Sequence, residues 1–378
     1  MRLISHDCME ARKSIQILDE GVVYANPEPL LRSRQAFHPS LANLGNGEIL
    51  CGFEMGEAVE SQDYRAHRCR SRDNGKTWVF EGALFENVPG VTSATRISRT
   101  RAGLVGFGAR YYRLNPGQGL LNRENLGMTR MELVLTRSAD NGKSWGAPSV
   151  LVPPLVGPAF EMCHAVVELP GGRWLAPTAT WRGWNGDLPN GNKAIVLISD
   201  DQGRSWPEYG ISFASNNSSD IFWEQSVHLW RDALLSVCWH FDSASQRHLP
   251  NKFAVSRDGG KTFSNPAEIG IHGQTCKALV LNDDYILLAY RRVDKPGLWL
   301  SLFTFNGKAW NLLSEKPLWG HHRADSGMTG KENNADALSG LCFGFPQMTR
   351  LDDKTILLVF WRLEKWSSDI RYFRIVID

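Results

Sequence analysis

The chain has no stretch apolar and long enough to cross a bilayer as a helix. Its longest apolar runs, such as Thr355 to Trp361, fall far short of the roughly 20 residues a span requires. It also has no cluster of Lys and Arg, and its net charge is only +2. A polyanion footprint is therefore missing, and neither nucleic acid nor membrane is expected as a partner. Cysteine is sparse: seven residues, an odd number without a C-x-x-C pair, read as buried reduced thiols. Residues 1–10 hold no apolar core and carry acids early, so they do not read as a secretory signal. With the thiols, this makes the cytoplasm the expected compartment. No H-x-H or H-E-x-x-H spacing occurs, and no metal or other cofactor is expected.

What is present is an ordinary globular composition, 42% hydrophobic and 22% charged over 378 residues, ample for a sizeable core. The 35 Gly and 14 Trp suit many short strands and turns. One octapeptide organises the rest. Ser71-Arg72-Asp73-Asn74-Gly75-Lys76-Thr77-Trp78 returns as 138–145, 199–206 and 256–263, always as S-x-D-x-G-x-[S/T]-[W/F]. The Asp and Ser side chains are expected to fold back on nearby backbone N–H groups, and Gly accepts the positive φ of a tight hairpin. A decayed fifth copy, Phe305-Asn306-Gly307-Lys308-Ala309-Trp310, keeps only the Gly-to-Trp spacing.

This octapeptide is the Asp-box, and from about residue 36 onward the chain resembles the sialidase (neuraminidase) superfamily of β-propellers. The resemblance implies an all-β fold with the boxes at the rim, away from any catalytic centre, so Asp73, Asp140, Asp201 and Asp258 are read as turn residues. Spacings of 67, 61 and 57 residues between them suit one four-stranded blade each. Six apolar strand starts, at Pro39, Thr95, His164, Glu224, Cys276 and Pro346, predict a six-bladed β-propeller. Residues 1–35 are assigned to an N-terminal segment whose strand, within Ser14 to Tyr24, closes the ring; residues 36–378 form the propeller as a single domain. Two insertions, Asn115 to Thr129 and Asn311 to Gly344, interrupt the count. The second, with His321, His322, Asp325 and Lys331, reads as a long loop, either a lid or a decoration.

In a propeller the innermost strands line a central channel. Glu224, in Trp223-Glu224-Gln225-Ser226-Val227, looks like the sialidase segment whose Glu polarises a Tyr nucleophile, and a carboxylate opening an apolar strand needs partners. Eleven residues past each strand-end register point come Tyr111, His240, Arg292 and Arg362. Arginine at such positions resembles the carboxylate clamp of sialidases, whose planar fork grips an anion. The resemblance also has gaps. The Phe-Arg-Ile-Pro motif of sialidases corresponds to Ala36-Phe37-His38-Pro39, with Phe37 in place of the Arg, and His240 stands where another Arg belongs. Imidazoles take their place: His38, His164 and His240 all fall near the predicted channel mouth, where they can move protons or bind hydroxyls. In the acidic loop 54–65, Asp63 is the nearest counterpart of the family's acid/base Asp, with Glu57 and Glu60 as rivals. Tyr64 beside it is read as a substrate contact, as is Trp239, one of several Trp residues suited to stacking on sugars.

The expected activity is that of a carbohydrate-active enzyme, a sialidase-like glycoside hydrolase acting on an acidic or small oligosaccharide. Glu224 with His164 or His240 would move protons, Asp63 would serve as leaving-group acid, and His38, Arg292 and Arg362 would hold the substrate. Two alternatives stay open: a lyase cleaving a uronate-type sugar by β-elimination, and a sugar-binding propeller without catalysis. The sequence leaves the oligomeric state open.

Overall fold

Short apolar strands separated by tight turns assemble into six antiparallel sheets arranged as the blades of a β-propeller. The computed structural model describes residues 13–322 and 340–378, apart from 87, 114, 116 and 163. No helix interrupts the strands among the described residues, and none is long and apolar enough to cross a membrane. Blades 1 to 6 take their inner strands from Gln35–Gly45, Val91–Thr100, Ala159–Glu161 with Val167–Glu168, Asp220–Trp230, Gly273–Val280 and Phe343–Arg350. The inner strand of blade 3 is thus split around His164, because only its two ends pair with Trp174–Trp181.

Each blade shares an apolar cluster with its neighbour. Phe53 and Met55 of blade 1 pack with Leu357 and Trp361 of blade 6; Leu50 meets Ile97 between blades 1 and 2. Phe107 joins Trp174 between blades 2 and 3, and Val196 joins Val227 between blades 3 and 4. Val237 packs with Leu288 between blades 4 and 5, and Leu300 with Phe360 between blades 5 and 6. The core is therefore divided among six interfaces around the axis, and burying each Leu, Val or Phe there contributes about 1.5–3 kcal/mol. The ring is closed by Ile15–Tyr24, which pairs antiparallel with Ser367–Ile377 and becomes the outermost strand of blade 6.

The Asp-boxes connect the third and fourth strands of blades 1 to 4. In the first, Ser71 Oγ donates to Asp73 Oδ1 at 2.8 Å and accepts the Gly75 N–H at 2.9 Å. Asp73 in turn accepts the N–H groups of Lys76 and Thr77 and the Thr77 hydroxyl. The residue before the glycine is also left-handed, at φ 60 for Asn74, 59 for Asn141 and 60 for Gln202. Asn and Gly tolerate that region best, which accounts for their presence in three of the four copies. A side chain at Gly75 would press on Leu357 of blade 6, and one at Gly142 would run into Leu50 of blade 1. Each of these turns is therefore seated against the preceding blade, so the motif joins blades as well as strands.

The insertions resolve differently. Residues 117 to 129 dock on blade 3, where Trp181 Nε1 donates to Leu126 O at 2.7 Å and Asn122 Nδ2 to Trp184 O at 2.9 Å. They also touch blade 1, where the Leu120 N–H donates to Glu60 Oε2. In the second, residues up to Trp319 are not a loop: Trp310–Trp319 is the fourth strand of blade 5, paired along Leu298–Phe305. Asp325 and Lys331 lie outside the described residues.

Candidate functional site

Four of the six inner strands carry the same irregularity. Their pairing slips between Phe37 and Ser40, Trp223 and Ser226, Gln274 and Lys277, and Gly344 and Gln347. The first bulged residue is left-handed in each: His38 at φ 48, Glu224 at 52, Thr275 at 50 and Phe345 at 52. Non-glycine residues adopt this region only when their surroundings impose it. The repeat re-aims one side chain per blade, and it makes His38, Glu224, Thr275 and Phe345 equivalent. The sequence register had matched Glu224 with Pro39, Cys276 and Pro346, one residue further on. The slip arises in blade 4, where the buried Trp230 closes the strand and Leu229 is exposed.

Around the axis the blades assemble a dense charged cluster. Glu54 is fully buried, and its Oε1 accepts the Thr95 N–H at 2.7 Å and Arg96 Nη1 at 2.5 Å. His38 Nδ1 stands 2.8 Å from the Tyr64 hydroxyl and 3.7 Å from Glu54 Oε2. Glu224 Oε2 accepts the Thr275 N–H at 2.6 Å, and the Glu224 N–H donates to Glu161 Oε2 at 3.0 Å. Carboxylates of three blades thus each hold a backbone amide of the next. Arg291 donates to Gln274 Oε1 at 2.7 Å and to Phe343 O at 2.8 Å. A side chain on Gly344 would collide with the Arg291 guanidinium, so glycine permits its close approach. Phe345 lies under two cations, with Arg96 4.6 Å and Lys277 5.2 Å from its ring centroid.

Burial and neighbouring charge set the protonation states. Burial pushes the Glu224 carboxyl up, against the pull of Arg291, Lys277 and Arg96. Burial likewise raises Glu54 despite Arg96. His38 is lowered to about 3 by burial and by the charges of Arg96 and Arg291, which keeps its ring neutral. The Tyr64 phenol is raised well above its usual range by burial and by Glu54. Burial brings Arg291 down to about 10, Glu224 opposing. His164, whose ring meets His228 edge-on at 5.4 Å, is held well below its ordinary value by burial and by Lys277 and His228. His228 is lowered to about 3 by burial and Lys277.

Of the residues singled out from sequence, Glu224, His38, His164 and Tyr64 come together here. Arg292 does not join them: it forms ion pairs with Asp294 and Glu315 and stacks on Trp299. Arg362 is engaged by Glu364 and Asp369. His240 stacks on Phe222 and faces Asp220 at 3.4 Å. The common reason is alternation along a strand: the residues facing the axis are the preceding ones, Arg291 for Arg292 and Trp361 for Arg362. Asp63 is exposed and accepts the Glu57 N–H, on the opposite side of the chain from Tyr64. Trp239 packs at a tilt against Trp223, which packs likewise against Trp181, with centroids 4.7 and 4.8 Å apart. These rings form an apolar wall that includes Leu126 and Met128 of the docked loop.

Sequence reasoning passed over Glu54, Arg96, Glu161, His228, Lys277 and Arg291. A signal existed for several. Glu54, Arg96 and Lys277 are charged residues inside otherwise buried strands, a placement that is costly unless partners wait in the fold. No group of three or more His, Cys, Asp or Glu among the described residues is placed to hold a metal ion.

The profile of a family described as BNR repeat-like domain matches residues 111–353, more than half of the chain. No curated protein matches it closely in sequence. Among solved structures, a Dyadobacter fermentans protein of unknown function superposes with a TM-score of 0.74 at 22% identity, covering 96% of this chain and 99% of its own. A Hadza microbial sialidase follows with TM-score 0.62 and 16% identity, covering 90% of this chain. The Trypanosoma rangeli sialidase in complex with sialic acid gives TM-score 0.61 and 16% identity, covering 96%. The present chain spans 65% and 58% of the lengths of those two sialidases. At these identities the likeness concerns the sialidase-like propeller fold.

Proposed function

From the premise that the chain belongs to the BNR repeat-like domain family and folds as a sialidase-like propeller, we propose that it is a glycosidase acting on an acidic sugar at the centre of the ring. The observation that carries this reading is the 2.8 Å contact between the Tyr64 hydroxyl and His38 Nδ1, within reach of the charges of Arg96 and Arg291. As Tyr64 attacks the anomeric carbon, its phenol proton passes by way of neutral His38 Nδ1 to the buried Glu54 carboxylate, whose Oε2 lies 3.7 Å from that nitrogen and whose proton affinity burial raises. The bond from that carbon to the leaving oxygen breaks, and the oxygen takes a proton from Glu224, whose raised affinity for it suits an acid. Water then releases the sugar from Tyr64. Arg96 and Arg291 hold the substrate carboxylate, a role the guanidinium fork fits. One solved Trypanosoma rangeli sialidase complex is described as a covalent intermediate, which supports a covalent route on this scaffold.

The test is release of the aryl group from aryl glycosides of N-acetylneuraminic and glucuronic acids, with mass spectrometry of the protein after exposure to a fluorinated analogue. An adduct on Tyr64 is expected; turnover with no adduct on Tyr64 would end its role as nucleophile. The same Tyr64–His38 contact also suits proton abstraction beside a uronate carboxylate. Absorbance of an unsaturated product in place of hydrolysed sugar would move the assignment to β-elimination. Saturable sugar binding without turnover would move it to a non-catalytic propeller. The proposed place of action is the cytoplasm, a reading supported by Cys51 and Cys69, which face each other across paired strands as free buried thiols.

A further inference from the structure

Apart from the central cluster, a cavity of about 550 Å³ lies on blade 1, lined by Arg32, Arg34 and Arg65 together with His67, Asp63 and Glu57. It backs directly onto the centre, since alternation along the chain sends Glu54 and Tyr64 to the axis while their neighbours Met55, Asp63 and Arg65 line the cavity. Three guanidinium groups outnumber its two carboxylates. The Asp63 carboxylate is partly committed, because its Oδ1 accepts the Glu57 backbone N–H at 3.0 Å. Arg65 Nε is buried with no hydrogen-bond partner among the described residues, so one donor waits for an acceptor. His67, lowered to about 4 mainly by burial, is neutral and stacks between Phe53 and Phe80. Outside the lining, Gln35 Nε2 donates both to Oγ of Ser33, which borders the cavity, and to the Trp366 backbone carbonyl. The Trp366 indole is 95% exposed and left-handed at φ 71, an unpacked aromatic of the kind that stacks on sugar rings.

We propose that this cavity is a second binding site, for a sugar residue bearing a carboxylate or a sulfate ester. Arg32, Arg34 and Arg65 receive the anion and Trp366 lies against the ring. The site does not depend on the reaction assigned to the centre. Its position beside Tyr64 suits a second residue of an acidic oligosaccharide.

The test is calorimetric titration of the full chain with digalacturonic acid, galactose 6-sulfate and neutral galactobiose, in parallel on Tyr64→Phe, Arg65→Gln and Arg32→Glu variants. Arg32 is largely exposed, so its reversal leaves the fold intact even if Arg65→Gln does not. Binding of at least one anionic sugar is expected, with galactobiose weaker by about 10-fold or more. Tyr64→Phe should leave that affinity within 2-fold, and Arg32→Glu should weaken it at least 5-fold. Preference for digalacturonate or for the sulfate identifies the source of the anion. Failure of every anionic probe to bind, or loss of binding in Tyr64→Phe but not in Arg32→Glu, would overturn the proposal.

Discussion

At the residue scale, the centre is held by charges that would each be costly alone. Tyr64→Phe removes one hydroxyl and leaves the packing, so turnover of the acidic substrate is expected to fall at least about 100-fold, with little change in melting temperature. Glu224 offers a pH test with a definite sign. Its folded value lies above the ordinary 4.5, so the folded chain binds that proton more tightly than the unfolded one. Its contribution to stability is full below that ordinary value and declines as pH rises through the raised one. Glu224→Gln is expected to flatten that decline in a series of denaturant titrations across pH. Catalysis should follow the same limb, falling as pH rises and the acid is lost; a rate that rises through this window would contradict its role as acid. Gly344→Ala presses on the Arg291 guanidinium. A KM raised about 10-fold with a smaller change in kcat is expected, since it disturbs a binding group and spares Tyr64.

At the element scale, the Asp-box is a small polar network whose members cannot be removed singly without leaving a buried partner. Ser71 is 1% exposed and bonds both Asp73 and the Gly75 amide. Ser71→Ala is therefore expected to cost about 1–3 kcal/mol, measurable as a lower denaturant midpoint with an unchanged slope. Hydrogen bonds to the ionised form hold the box carboxyls below their ordinary value, Asp73 at about 2 against burial, and Asp140, Asp201 and Asp258 in the same direction. Their contribution is complete above about pH 4 and is lost as pH falls toward 2. Acid unfolding should shift to higher pH when Asp73 is replaced by Asn. Coincident acid transitions in the two proteins would show that the box carboxyls do not set the limit.

At the scale of the whole molecule, stability is shared among six interfaces, and the ring has a single seam. The terminal strand Ile15–Tyr24 covers Ser367–Ile377, and it buries Ile15, Val23 and Tyr24. Deleting residues 1–25 bares a strand edge and the apolar surface that Ile15, Val23 and Tyr24 cover, a loss of about 5 kcal/mol or more by area. Aggregation or a strongly lowered melting temperature is expected on calorimetry and size-exclusion chromatography. A truncated chain as stable as the full one would show that the seam is not needed.

The octapeptide, its spacing and the six apolar strand starts determined the propeller from sequence, because a turn of such strict local chemistry announces itself in adjacent residues. Glu224, His38, His164 and Tyr64 were also visible as polar groups out of place beside apolar strands. Which guanidinium faces the axis was decided only in three dimensions. Neighbours such as Arg291 and Arg292 are equivalent in composition, and alternation along their strand sends one to the axis and the other away from it, in a register that only pairing with the adjacent strands fixes. The cluster of Glu54, Arg96, Lys277 and Arg291 likewise exists only once blades distant in sequence are brought round to the same axis.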